Sequence, residues 1–153
     1  MRIEQTNDKK EKEIANQTRE YVEQIQIRKE KEVEIIGKHV YGNLYSISPA
    51  LLTGIDFLSK KIEEAARAGN AHIIEIITKK FPDINGYEGG VSVIALLEES
   101  HIALHTWPEG AYATLDVYTC GKEADPQKIF DYMTNVLKPA HFDSYTADRS
   151  HNE

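Results

Sequence analysis

A chain of 153 residues, 41% hydrophobic and 28% charged, has the size and balance of one globular domain with room for a sizeable core. Its formal net charge of −7 argues against nucleic acid, which calls for a basic surface, and is compatible with a small cationic substrate. One cysteine rules out an internal disulfide and a four-cysteine zinc site, no apolar run approaches the roughly 20 residues that span a bilayer, and the N-terminus is too polar for a secretory signal. A cytoplasmic protein with no membrane or nucleic-acid partner is therefore expected.

Residues 1–34 are mostly Lys, Arg, Glu, Gln and Asn. Ile14, Tyr21 and Ile25 have helix-compatible spacing, but no continuous stripe forms, so this segment reads as a disordered or loosely helical extension, with a coiled-coil arm less favoured. The globular domain is expected over residues 35–153. His39–Tyr45 alternates and is rich in β-formers, which predicts a strand. Ser48-Pro49 then opens a helix with Leu51, Leu52, Ile55, Leu58, Ile62 and Ala65 at helical spacing, stopped by Gly69-Asn70. Ala71–Thr78 is a second strand, and Lys79–Gly89, with Pro82, Asn85 and Gly86, is a loop. Three strands follow over 91–98, 101–106 and 111–119. Asp125-Pro126 starts a last helix with Ile129, Phe130, Met133 and Val136 on one face; Pro139 ends it, and a strand over 141–147 closes the chain. No helix separates the three central strands, so the fold class is α+β: a two-layer sandwich, mostly antiparallel, with helices on one face. Its uncovered face implies a homodimer or a higher assembly.

The chemistry concentrates in Gly90–Glu109 and the strand after it. Two apolar runs, Val91–Leu97 and Ile102–Leu104, meet at Glu98-Glu99-Ser100-His101, and reactive groups among strands are costly unless paired or used. A plain β-turn is the simplest account of Glu99-Ser100-His101. The sharper one is a strained turn in which the Ser100 hydroxyl attacks the Glu99 carbonyl, turns the amide into an ester and, after β-elimination, leaves a terminal pyruvoyl group. Cys120 ends a strand on the same face as Asp116 and Tyr118, a better place for chemistry than for packing. A zinc site from His101, His105 and Cys120 has the wrong spacing, and a cysteine-protease pairing of Cys120 with His105 lacks a marked oxyanion hole.

Glu99-Ser100-His101, His105-Thr-Trp-Pro-Glu109 and Asp116-Val-Tyr-Thr-Cys-Gly121 resemble the small prokaryotic S-adenosylmethionine decarboxylases and their relatives, the archaeal pyruvoyl-dependent arginine decarboxylases, over roughly residues 36–148. The resemblance implies a proenzyme that cuts itself between Glu99 and Ser100 into a β chain, 1–99, and an α chain, 100–153, whose pyruvoyl group is made from Ser100. It implies His105 as the processing histidine, Cys120 as the proton donor, and Ser92, Glu98, Glu109 and Asp116 as residues of the substrate site. It also implies a two-layer sandwich with the active site at a homodimer interface, and decarboxylation through a Schiff base with no metal. Gly37–Tyr45 and Ala147–Ser150 look more like the arginine branch, and a carboxylate such as Glu98 suits a guanidinium, unless it simply faces solvent. Phe81 stands where an aromatic could stack on adenine, which keeps S-adenosylmethionine as the alternative substrate. The expected activity is thus decarboxylation of L-arginine to agmatine in polyamine biosynthesis. A non-catalytic subunit that activates a partner is the alternative from another class.

Overall fold

The computed structural model describes residues 2–30 and 34–151, and the side chains of 10–26 and 34–151. The chain divides into two compact units, one N-terminal and one over Ile35–His151. In the first, the expected extension is one long helix, α1 (Arg2–Glu30), with Ile14, Tyr21 and Val22 exposed. Among the described residues no helix is long and apolar enough to cross a membrane.

The second unit holds β1 (Gly37–Tyr45), α2 (Ile55–Ala68), β2 (Ile73–Lys80), β3 (Val91–Leu97), β4 (Ser100–Trp107), β5 (Tyr112–Cys120), α3 (Pro126–Leu137) and β6 (His141–Asp148). All six strands form one antiparallel sheet in the order β2-β3-β4-β5-β1-β6. Helices α2 and α3 cover one face, where Val91, Val93, Ile102, Leu104, Leu115 and Val117 meet Leu58, Ile62, Phe130 and Met133 in a fully buried core. Burial at about 25 cal/mol per Å² of apolar surface makes this layer contact the main stabilising term. The α+β two-layer sandwich expected from the element order is the fold observed.

The helix expected from Ser48 is two elements. Pro49–Leu51 forms a 3₁₀ turn, and α2 begins only at Ile55, because extended Gly54 interrupts the helical backbone. Gly69 ends α2, and the left-handed Asn70 (φ +56°) turns the chain away, as their residue types predict. Helix α3 starts as its sequence implies: the Asp125 carboxylate accepts from the Gln127 and Lys128 N–H groups, and Pro126 takes the first-turn position that has no use for an N–H.

Two connections position the chemistry. Between β2 and β3, Asn85 and Gly86 (φ +51° and +79°) form a tight turn closed by Ile84–Tyr87 backbone hydrogen bonds, so the expected loop doubles back on itself. Strands β3 and β4 are joined by Glu98 and Glu99 alone, with Leu97 paired to Ser100.

Candidate active site

The Glu98-Glu99 turn is held from outside by His72. The Glu98 N–H donates to the His72 carbonyl (2.9 Å), while the Glu99 carboxylate accepts from the His72 N–H (2.9 Å) and shares a hydrogen bond with its Nδ1 (2.7 Å). Partial burial pushes the Glu99 carboxyl up, but the hydrogen bonds from His72 outweigh it and hold the group below the usual carboxylate range. The same Glu99 hydrogen bond raises the His72 imidazole above its ordinary value.

The Glu99–Ser100 position, where cleavage is expected, is distorted and polarised. Ser100 has φ +146°, a region that a side-chain-bearing residue enters at a cost of about 1–3 kcal/mol. The carbonyl oxygen of Glu99 accepts a 2.7 Å hydrogen bond from the backbone N–H of Cys120, brought there by the pairing of β4 with β5. An attack by the Ser100 hydroxyl on the Glu99 carbonyl carbon would put negative charge on that oxygen, and the Cys120 N–H is already aimed at it. Ser100 therefore fits the precursor of a terminal carbonyl group. Its neighbours supply the two things the reaction needs from the backbone, strain and an oxyanion donor.

A second set of residues lies at the far end of the same strands. Ser92 Oγ and His105 Nδ1 share a 2.7 Å hydrogen bond across the β3–β4 pairing. Both line a cavity of about 560 Å³ with Phe81, Asp83, Trp107 and Glu109. Asp83 is fixed by accepting from the Gly89 N–H (2.9 Å). Thr106, buried beneath this end, accepts from the Val91 N–H (2.8 Å) and donates to the Leu52 carbonyl (2.7 Å), tying β3 and β4 to the 3₁₀ turn.

Asp116 lies between these ends on the uncovered face. Its carboxylate bridges two imidazoles, His39 Nε2 at 2.8 Å and His101 Nε2 at 2.9 Å. Glu98 is exposed in the turn and lines no described cavity, which is the solvent-facing alternative for this residue.

The structure therefore sorts the expected site residues into two groups. Glu98, Glu99, Ser100 and Cys120 share the turn end, while Ser92, His105 and Glu109 share the cavity. Ser100 and His105 are five residue steps apart on β4, about 17 Å at 3.3–3.4 Å per residue, so one copy does not bring these two side chains together. Among the described residues the cluster able to hold a metal is His72, Glu98 and Glu99; His101, His105 and Cys120 form no such group. The residues that sequence reading passed over are His72, His39, Asp83 and Thr119. Each acquires its place only through strand pairing or a fold-back, and no local motif marks it.

The description "S-adenosylmethionine decarboxylase" belongs to the family model that matches residues 38–150. The chain is 51% identical over 116 residues to an arginine decarboxylase proenzyme of Hyperthermus butylicus, covering 76% of this chain and 80% of that one. It is 46% identical over 123 residues to an arginine decarboxylase proenzyme of Ignicoccus hospitalis, covering 80% and 83%. An S-adenosylmethionine decarboxylase proenzyme of Pyrobaculum neutrophilum is 44% identical over 117 residues, covering 76% and 91%. Among solved structures, the adenosylmethionine decarboxylase of Aquifex aeolicus superposes with a TM-score of 0.70 at 30% identity, covering 77% of this chain and 93% of that one.

Proposed function

The chain belongs to the S-adenosylmethionine decarboxylase family, and from that premise we propose that it is a self-cleaving, pyruvoyl-dependent decarboxylase acting on L-arginine to give agmatine and carbon dioxide. The observation that carries self-cleavage is the Cys120 N–H on the Glu99 carbonyl oxygen, beside the strained Ser100. Ser100 Oγ bonds to the Glu99 carbonyl carbon, the oxygen takes up charge against the Cys120 N–H, and the carbon–nitrogen bond breaks to leave an ester. Loss of the Ser100 Cα proton expels the Glu99 carboxylate. Water then replaces ammonia at the new terminus, giving the pyruvoyl group and the chains 1–99 and 100–153. That group supplies an electron sink for the departure of carbon dioxide from an amino acid joined to it. The Cys120 thiol, on the strand that carries the oxyanion donor, holds the proton that replaces the lost carboxyl.

The remaining groups are supplied across a dimer. His105 lies about 17 Å from Ser100 along β4, too far to act within one copy. A second copy packed on the uncovered sheet face with its strands reversed brings its Ser92–His105 pair to the first copy's turn end, the end of β4 at which Ser100 lies. Support for that contact comes from the exposed Tyr41, Ile94, Leu96 and Trp107, apolar surface that an isolated sheet would leave in water.

Arginine is supported by the cavity beside Ser92 and His105. Its walls are aromatic and apolar, and its carboxylates, Asp83 and Glu109, suit a flat cation able to donate several hydrogen bonds. The arginine decarboxylase names of two relatives point the same way. S-adenosylmethionine is the second reading, favoured by Phe81 and Trp107, whose rings in the same cavity could stack on adenine. Carbon dioxide release from arginine, S-adenosylmethionine and ornithine, measured separately on the purified protein, distinguishes them. Release from arginine is expected; release from S-adenosylmethionine alone would overturn the substrate. Cys120→Ser is expected to cleave at close to the normal rate and lose most turnover, because its backbone N–H survives while its thiol does not.

A further inference from the structure

Two buried threonines on the covered sheet face have opposite circumstances. Thr106 spends its hydroxyl on the Val91 N–H and the Leu52 carbonyl. Thr119, fully buried on the adjacent strand, has a hydroxyl with no hydrogen-bond partner among the described residues. A buried hydroxyl left unpaired is a cost without return unless something else uses it.

What stands opposite it is Ser100. The β4–β5 register pairs Ser100 directly with Thr119. The Cys120 N–H on the Glu99 carbonyl makes Glu99 and Cys120 a hydrogen-bonded position of this ladder. Ser100 and Thr119 therefore occupy the adjoining non-hydrogen-bonded position, where Cα atoms approach to about 4.5 Å and side chains come closest. Directly opposed residues project to one face, and paired hydroxyls there can hydrogen-bond across the strands. The Ser100 hydroxyl also lacks a hydrogen-bond partner among the described residues, on a backbone already strained at φ +146°.

We propose that Thr119 is a positioning residue for self-cleavage: the Ser100 hydroxyl, without a partner among the described residues, turns to donate to Thr119 Oγ1 as it reacts, and that bond holds Ser100 Oγ on its path to the Glu99 carbonyl carbon. The proposal rests on the reading of Ser100 as the self-cleaving residue. In the step it serves, the Oγ–carbon bond forms, the carbon–nitrogen bond breaks, and the Ser100 hydroxyl proton ends on the freed Ser100 amine. The step is an isomerisation that needs no co-reactant. Thr119 loses no atom; it restricts the rotation of the nucleophile, and a loosely held nucleophile reacts slowly.

The test uses the full chain. Cleavage is followed by intact mass in wild type, Thr119→Val and Thr119→Ser, and melting temperature is read in a Ser100→Ala background that stays in one piece. Thr119→Val keeps the shape and deletes the hydroxyl, so cleavage is expected to slow by about tenfold or more, with the melting temperature unchanged or raised. A merely structural threonine could not give that combination. Thr119→Ser restores the hydroxyl and is expected to cleave within about threefold of wild type. Wild-type cleavage in Thr119→Val, or a Thr119→Ser chain as slow as Thr119→Val, overturns the proposal; if Thr119→Val does not fold, Thr119→Ala takes its place under the same criteria. A wild-type chain that keeps its single uncleaved mass instead removes the self-cleavage reading on which the proposal rests.

Discussion

Glu99 carries two tasks in one residue. Its carbonyl is the group that Ser100 would attack, and its carboxylate is held by the His72 N–H and imidazole, so the clamp fixes the electrophile in place. The His72 imidazole is raised by its Glu99 hydrogen bond, so its stabilising contribution is complete below the ordinary imidazole value of 6.5 and fades as pH rises through its folded value. Glu99 is lowered overall, its hydrogen bonds outweighing burial, so its contribution is present above 4.5 and is lost as pH falls through its folded value. The clamp is therefore strongest between those limits. In the uncleavable Ser100→Ala background, His72→Ala is expected to lower the melting temperature at about pH 5.5 and to lower it less at about pH 8.5. An equal deficit at both values would mean that the imidazole charge plays no part.

At the scale of elements, the sheet does most of the positioning and the helices hold the sheet in shape. Helix α2 meets α3 at Gly69, where an added Cβ would lie 2.3 Å from Ile129 Cγ1 and 2.7 Å from the Asp125 carbonyl oxygen. Neither neighbour can withdraw freely, since Ile129 is fully buried and Asp125 caps α3. Gly69→Ala is expected to destabilise the fold by about 1–3 kcal/mol, seen as a fall in melting temperature. Cleavage of the chains that do fold should be unaffected, because the β4–β5 pairing at Ser100 lies outside this contact. The β3–β4 hairpin carries the other element-scale lesson. A connection of two residues leaves Glu99 and Ser100 no freedom to relax, so strain stays at the bond proposed for cleavage.

At the scale of the whole molecule, the proposed dimer makes each chain incomplete alone, because its two groups of site residues lie at opposite ends of β4. Co-expressed Ser100→Ala and His105→Ala chains are each expected to be inactive by themselves. In a mixed dimer one site combines the intact Ser100 of one chain with the intact His105 of the other, and random pairing predicts about a quarter of wild-type activity. No recovery would place both residues in the same chain's site. Local chemistry in the sequence determined the element order, the α3 cap and the stop at Gly69-Asn70, because periodicity and capping are written within a few residues; the expected Glu99-Ser100-His101 turn lies one residue earlier, at Glu98-Glu99, with Ser100 and His101 already in β4. Sequence reading ran the first helix through Gly54, since a stripe of apolar residues does not reveal a backbone break beneath it. Tertiary structure alone decided that the Cys120 N–H meets the Glu99 carbonyl, that the Thr119 hydroxyl, without a partner among the described residues, stands opposite Ser100, and that His105 lies with Ser92 rather than with Ser100. Those relations join residues far apart in the chain, and strand register, which sets them, is fixed only when the whole sheet closes over its core.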